Sequence, residues 1–269
     1  MEPRELRPAL DLARAALAAP PAGLLTDLDG TLAPIVADPP SATALPGAAD
    51  ALDALARRIA VVGIVSGRAA ADARRILGRD DILVIGNHGL EWLEPGADEP
   101  VASPELAAAA QAVERALAVV PDEPGVTAEA KGLSATVHFR NAPDPLAAGA
   151  RVLAALEEVA IPGVALRPGR MSLELRPEGA GDKGTAVASV VERFGLRGLI
   201  VIGDDVTDLD MFRAAHRARE AGAAVAVVGV GGGGEVPPEV AAAADALVAD
   251  PAAVVTLLDA LSRSPSPSR

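Results

Sequence analysis

Asp27 and Asp29 stand two residues apart at the end of the apolar run Gly23-Leu24-Leu25-Thr26, and Gly30-Thr31-Leu32 follows them. Pro20-Pro21 in front and the glycine behind mark that run as a buried strand. In an extended chain, residues i and i+2 point to one side, so the two carboxylates are expected to leave the strand end as a converging pair. Carboxylates held that close repel each other unless a cation lies between them. A hard divalent cation with oxygen ligands answers this, and Mg²⁺ leads the candidates. The pair also permits divided labour: one carboxylate attacks, and the other gives and takes a proton. An Asp- and Gly-rich turn after a strand is also common without any chemistry, so the pair alone leaves both readings open. An EF-hand-type calcium loop does not fit, because its glycine belongs at the sixth loop position and Gly30 is the fourth from Asp27.

Three further groups have side chains suited to the same chemistry. Ser66-Gly67-Arg68 follows the β-branched run 59–65, and a helix is predicted from about residue 69. The Ser66 hydroxyl, the Gly67 backbone and that helix N-terminus make an anion seat. Lys183 opens a predicted helix after Gly181-Asp182. An ammonium beside a phosphoryl group neutralises charge that develops in transfer, although a lone lysine there is more often simply solvated. Asp204 and Asp208 follow the apolar run 199–202 at a spacing that suits one face of a helix start. Helix capping is the plain alternative for Asp204 or Asp205. A nucleophilic carboxylate, a second carboxylate, a hydroxyl, an ammonium and an acidic metal-holding pair together describe metal-assisted phosphoryl transfer through an aspartyl-phosphate.

The elements that must position these groups alternate strand and helix over roughly the first ninety residues, which predicts a parallel sheet with helices on both faces. Ligands in such sheets bind beyond the carboxyl ends of the strands, where Asp27, Ser66 and His88 all fall. The period then changes. Helices are predicted over 104–120 and 146–159, and hairpins over 126–140 and 164–176 around Lys131-Gly132 and Pro168-Gly169-Arg170. This αββαββ order predicts a separate unit with an antiparallel sheet. The expected organisation is a core of residues 1–92 and 180–261, an inserted unit of 93–179, and a disordered Ser/Pro/Arg tail at 262–269. The run Gly229-Val230-Gly231-Gly232-Gly233-Gly234 lacks the Lys-Ser/Thr ending of a phosphate loop and reads as a surface loop. A helix is also expected from Pro46 to about Arg58, because Pro suits a first turn.

Composition narrows the partners. The chain has 269 residues, half of them hydrophobic, and its aromatics are only Trp92, Phe139, Phe194 and Phe212. A net charge of −13 repels a phosphate backbone, so nucleic acid is not an expected partner. An anionic substrate must therefore be captured by local cations. The chain has no cysteine, which fits a reducing cytosol. No apolar run is long enough to span a membrane, and residues 1–19 read as an amphipathic helix. A cytoplasmic monomer is expected.

Asp27-Leu28-Asp29-Gly30-Thr31, Ser66-Gly67-Arg68, Lys183-Gly184 and Gly203-Asp204-Asp205-Val206-Thr207-Asp208 resemble the four signature motifs of the haloacid-dehalogenase (HAD) phosphatase superfamily. Within it, the inserted unit resembles the cap of the sugar phosphatases, and the match is closest to the trehalose-6-phosphate phosphatases. Gly86-Asn87-His88-Gly89-Leu90-Glu91, the hairpin Glu129 to Arg140 and Leu173-Glu174-Leu175-Arg176-Pro177 carry that narrower likeness. The resemblance implies a HAD-like doubly wound core with an inserted α+β cap, and Mg²⁺-dependent hydrolysis of a small sugar phosphate. Asp27 would attack phosphorus, while Asp29 would protonate the leaving oxygen and then activate water. Ser66, Gly67 and Lys183 would hold the phosphoryl oxygens. The metal would be held by Asp27, the Asp29 carbonyl and Asp204, with Asp208 close by. Glu129, Lys131 and Glu174 would bind sugar hydroxyls in a cap that closes and excludes water. Leu209 stands where the family usually has Glu. Sucrose phosphate and mannosyl-3-phosphoglycerate phosphatases are the nearest alternatives, and a non-catalytic sugar-phosphate binder is another. Arg68, His88 and His138 carry no assigned role.

Overall fold

A computed structural model of the chain describes residues 4–36, 38–102, 104–159, 161–169, 171–231 and 236–263. The chain divides into two compact units, one of Met1–Pro100 with Gly181–Arg269 and one of Val101–Ala180.

The first unit opens with α1 (Arg7–Leu17), whose Ala9, Leu10, Ala13 and Ala16 form a buried stripe. Strand β1 (Ala22–Thr26), α2 (Ala48–Ala56), β2 (Val61–Val65), α3 (Ala70–Leu77), β3 (Leu83–Gly86) and β4 (Glu91–Leu93) follow. After the second unit come α6 (Lys183–Phe194), β10 (Gly198–Gly203), α7 (Leu209–Glu220), β11 (Ala224–Val230), α8 (Pro238–Ala243), β12 (Ala246–Val248) and α9 (Pro251–Ser262). The strands of this unit lie in the order β12-β11-β10-β1-β2-β3-β4. All neighbours are parallel except β3 and β4.

Strands β1, β2 and β10 are buried at every residue, which is why they read as unbroken apolar runs. Successive side chains feed opposite layers. Leu24, Ile64 and Ile202 join Leu10, Leu52 and Leu257 of α1, α2 and α9, whereas Leu25, Val65 and Val201 join Val187, Val190 and Phe212 of α6 and α7. Each such Leu, Ile or Phe contributes about 1.5–3 kcal/mol relative to exposure. The chain runs outward from β1 to β2 and β3, then returns to place β10 on the other side of β1. That reversal makes the β1–β10 boundary a topological switch point, the place where ligands bind in open α/β sheets.

The second unit holds β5 (Val101–Ala102), α4 (Pro104–Leu117), β6 (Thr127–Ala130), β7 (Ala135–His138), α5 (Pro145–Val159), β8 (Val164–Gly169) and β9 (Ser172–Pro177). Its sheet is antiparallel in the order β6-β7-β9-β8. Ala135, Val137, Leu173 and Leu175 pack with Val113, Ala116, Val152 and Leu156 in its core. The opposite face carries one row across all four strands: Glu129, Thr136, Glu174 and Arg167 are in register.

Four boundaries differ from the sequence reading. Helix α2 starts at Ala48 rather than Pro46, because Gly47 before it takes φ +88° and breaks the helical run. The second unit begins at Val101 rather than residue 93, since β4 pairs with β3 and stays with the core. Strand β1 stops at Thr26, so Asp29 is not part of it. Ser262 ends α9 and is helical, and residues 264–269 of the expected tail lie outside the described residues. So do Gly232, Gly233 and Gly234 of the glycine run and Arg170 of the second hairpin turn. Among the described residues no helix is long and apolar enough to cross a membrane.

Candidate active site

Asp27 is the first residue beyond β1, and its N–H still donates to Ile202 O of β10 at 2.9 Å. The chain then leaves the sheet. Leu32 and Ala33 both donate backbone N–H to Leu28 O at 2.8 Å, and Gly30 takes φ +83°. A Cβ on Gly30 would lie 2.1 Å from Asp204 Oδ2, so only glycine lets this turn approach that carboxylate. Thr31 completes the contact, its hydroxyl donating to Asp204 Oδ1 at 2.9 Å.

Asp208 is fully buried and held from both sides. Its Oδ2 accepts from the backbone N–H groups of Asp204 at 2.9 Å and Asp205 at 3.1 Å, and its Oδ1 accepts from Lys183 Nζ at 2.6 Å. Lys183 also donates to Asp27 Oδ1 at 2.6 Å. Asp182 caps α6 by accepting from Thr185 N–H at 2.8 Å, which fixes the start of the helix that carries Lys183. Carboxylate oxygens of Asp27, Asp204 and Asp208 lie within 4.8 Å of one another.

The electrostatics follow from burial. Burial raises the Asp27 carboxyl well above its ordinary range, Lys183 opposes the shift, and Asp208 and Asp204 add to it. Burial and the neighbouring Asp208 push Asp204 up to about 7. Burial works against the Lys183 ammonium, but Asp208 and Asp27 outweigh it and raise its pKa. Were all three carboxylates ionised, one ammonium would leave two negative charges uncompensated at this buried site. A divalent cation cancels that charge, and the all-oxygen donor set suits a hard one. The residues therefore fit such a metal.

Asp29 goes elsewhere. Its carboxylate accepts Arg68 Nε at 2.6 Å and a terminal guanidinium nitrogen at 2.9 Å, a bidentate pair. The expected convergence of Asp27 and Asp29 fails because the i, i+2 rule needs an extended chain, and this one turns after Asp27. Arg68 also donates to Asp72 Oδ2 at 2.8 Å and to Pro39 O at 3.0 Å.

Ser66 is buried at the end of β2, the strand beside β1. Its Oγ accepts the Arg68 N–H at 3.2 Å. The N-terminus of α3 is not wholly open to an anion, because Ala70 N–H donates to Glu91 Oε1 at 2.6 Å. Leu209 is buried on α7, and Asp208 next to it draws its support from Lys183 and the two amides. In the second unit, Glu129 and Glu174 lie in the polar row, and Glu129 Oε2 is 3.3 Å from His138 Nε2. Lys131 sits in the turn between β6 and β7, with its N–H donating to Ser134 O at 2.8 Å.

Comparison with known proteins bears on this arrangement. A family model described as trehalose-phosphatase matches residues 25–238, from the end of β1 to the start of α8. The chain belongs to the trehalose-phosphatase family. A trehalose-phosphate phosphatase of Mycobacterium tuberculosis is 37% identical over 217 residues, which cover 76% of this chain and 54% of that protein. An uncharacterized glycosyl hydrolase of the same species is 36% identical over 199 residues, covering 70% of this chain and 15% of that one. This chain thus spans about half, or less, of the length of these relatives. In structure, the C-terminal domain of a C. albicans trehalose-6-phosphate phosphatase superposes with a TM-score of 0.76 at 23% identity, covering 94% of this chain and 96% of that one. The shared fold is the HAD-like α/β core with its inserted antiparallel unit.

Three residues of the site had weaker signals in the sequence. Thr31 is a hydroxyl directly after the Asp-Leu-Asp-Gly turn. Arg68 follows the anion-seat serine and glycine. Glu91 is a lone acid in the apolar stretch Leu90-Glu91-Trp92-Leu93.

Proposed function

We propose that this family member hydrolyses trehalose 6-phosphate to trehalose and phosphate with Mg²⁺, through an aspartyl-phosphate on Asp27. The observation that carries the reading is the buried array in which Lys183 bridges Asp27 and Asp208 at 2.6 Å each, with Asp204 alongside, at the switch point of the core sheet. An Asp27 oxygen attacks phosphorus and the bond from phosphorus to the sugar oxygen breaks. Asp29 delivers a proton to the departing oxygen. In the second half Asp29 takes a proton from water, the water oxygen bonds to phosphorus, and the bond to Asp27 breaks. Arg68 clamps the Asp29 carboxyl in a bidentate pair, so proton transfer at the substrate requires Asp29 to swing out of that clamp. Lys183 keeps Asp27 oriented and balances charge as the phosphoryl group transfers. Ser66 and Gly67 receive the phosphoryl oxygens. Asp27, Asp204, Asp208 and the Asp29 carbonyl would hold the Mg²⁺, which supplies Lewis-acid stabilisation of those oxygens.

The inserted unit reads the sugar. Glu174 shares its row with Glu129, and Lys131 sits at the end of the β6–β7 hairpin. Carboxylates and an ammonium at such positions accept from and donate to sugar hydroxyls. Replacing Glu174 by Ala should lower kcat/KM for trehalose 6-phosphate by roughly tenfold to a hundredfold, because a site that loses a hydrogen-bond partner for a hydroxyl loses discrimination. Hydrolysis of p-nitrophenyl phosphate, which has no sugar, should stay within about twofold. Equal losses on both substrates would mean that Glu174 does not read the sugar.

A further inference from the structure

The segment Asn87-His88-Gly89 adopts an unusual backbone for residues with side chains. Asn87 has φ +49° and His88 has φ +59°, two successive left-handed residues, and Gly89 follows at φ +109°. Such conformations persist only where surrounding structure holds them in place. Here the surroundings are two parts of the candidate site. On one side, Asn87 N–H donates to Arg68 O at 2.7 Å and His88 N–H donates to Ser66 O at 2.9 Å. The His88 imidazole lies against Gly67 so closely that a Cβ there would be 2.6 Å from Nε2. On the other side, a Cβ on Gly89 would lie 2.7 Å from Asp182 O, the residue before Lys183.

Side chains tie the turn down further. Asn87 is fully buried and donates Nδ2–H to Glu91 Oε1 at 2.8 Å. The same oxygen accepts the Ala70 N–H at 2.6 Å, so Glu91 joins the turn to the first residue of α3. Gly86, where the turn begins, meets α3 directly, since a Cβ there would be 2.3 Å from Ala70 N.

We propose that residues 87–91 form a brace that sets the Ser66–Arg68 turn against the start of α6, with Asn87 and Glu91 as positioning residues for phosphoryl binding. The proposal rests on the phosphatase reading of Ser66 and Lys183. Neither positioning residue touches the phosphoryl group; each fixes the backbone whose N–H groups and hydroxyl receive it. Lost positioning should therefore weaken phosphate binding while leaving the Asp27–Asp204–Asp208 cluster, on other loops, able to bind a cation.

The test measures inorganic phosphate as an inhibitor of p-nitrophenyl phosphate hydrolysis, and Mg²⁺ binding to the chelator-treated chain. Glu91→Ala is expected to raise the phosphate Ki by roughly tenfold with Mg²⁺ affinity changed by less than about twofold. Glu91→Gln keeps an oxygen that accepts from both Ala70 and Asn87, and should bring Ki back to within about threefold of the native chain. Asn87→Gly accepts the left-handed backbone and removes the side-chain amide that donates to Glu91, so a rise of about threefold or more is expected from it should Glu91→Ala not fold. Unchanged Ki in Glu91→Ala or Asn87→Gly overturns the brace, as does equal loss of phosphate and Mg²⁺ binding. A native chain that binds no phosphate overturns the phosphatase reading and the brace together, whereas one that binds it beside an equally competent variant overturns the brace alone.

Discussion

Asp27→Asn is expected to cut turnover by more than about a thousandfold, because an amide has no anionic oxygen to attack phosphorus and no intermediate can form on it. The fold should survive the change. Asn has the same shape, and the position already disfavours charge, since burial raises the Asp27 carboxyl well above its ordinary range. Lys183 loses one charged partner, though the Asn oxygen can still accept from it, and it keeps Asp208 at 2.6 Å. Removing one of three crowded carboxylates also relieves repulsion among them. Thermal unfolding of the variant should therefore lie within a few degrees of the native chain, which phosphate release and a melting curve on one preparation can check. Substantial turnover in a folded Asp27→Asn chain would rule out the covalent route.

Removing the divalent cation should abolish turnover and also change how stability depends on pH. Asp204 titrates near 7 in the folded chain, and Asp27 is raised too. In the unfolded chain both lose their protons near about pH 4. Between those values the folded chain binds more protons than the unfolded one, so stability falls as pH rises. The contribution is present at low pH and is gone above about pH 7, an effect on the order of a few kcal/mol for Asp204. A cation takes the proton's place and removes the slope. Urea unfolding with chelator should show a less stable chain at about pH 8 than at about pH 6, and added Mg²⁺ should restore the loss at the higher pH. Equal stability at both pH values with chelator would mean that the site does not raise these carboxyls, and no gain from Mg²⁺ would mean that they do not act as a cation site.

Much of the fold could be read from residue pattern because the physics there is local. Runs such as Val61 to Val65 are apolar on both faces, which only a sheet covered on both sides requires. The strand–helix alternation then fixes a parallel sheet, and it places Asp27 and Asp204 beyond the ends of adjacent strands. Lys183 and Asp208 belong to α6 and to the turn after β10, and both meet at Asp27. What the pattern missed depends on single turns and long side chains. The carboxylate of Asp29 swings to Arg68 because β1 ends at Thr26 and Gly30 takes a positive φ, neither of which periodicity encodes. Strand β4 has three residues, too few for an alternation to register, and its Glu91 turns inward to serve Ala70 N–H. The row of Glu129, Thr136, Glu174 and Arg167 needed strand register, which separate hairpins do not reveal.

The most direct measurement is phosphate release from a panel of trehalose 6-phosphate, sucrose 6-phosphate, mannosyl-3-phosphoglycerate and glucose 6-phosphate, each with and without Mg²⁺. The expected result is that trehalose 6-phosphate exceeds every other member in kcat/KM by at least about tenfold, and that release stops when Mg²⁺ is withheld. A chain that releases phosphate faster from another sugar, or releases none from any of them with Mg²⁺ present, would contradict the proposed function.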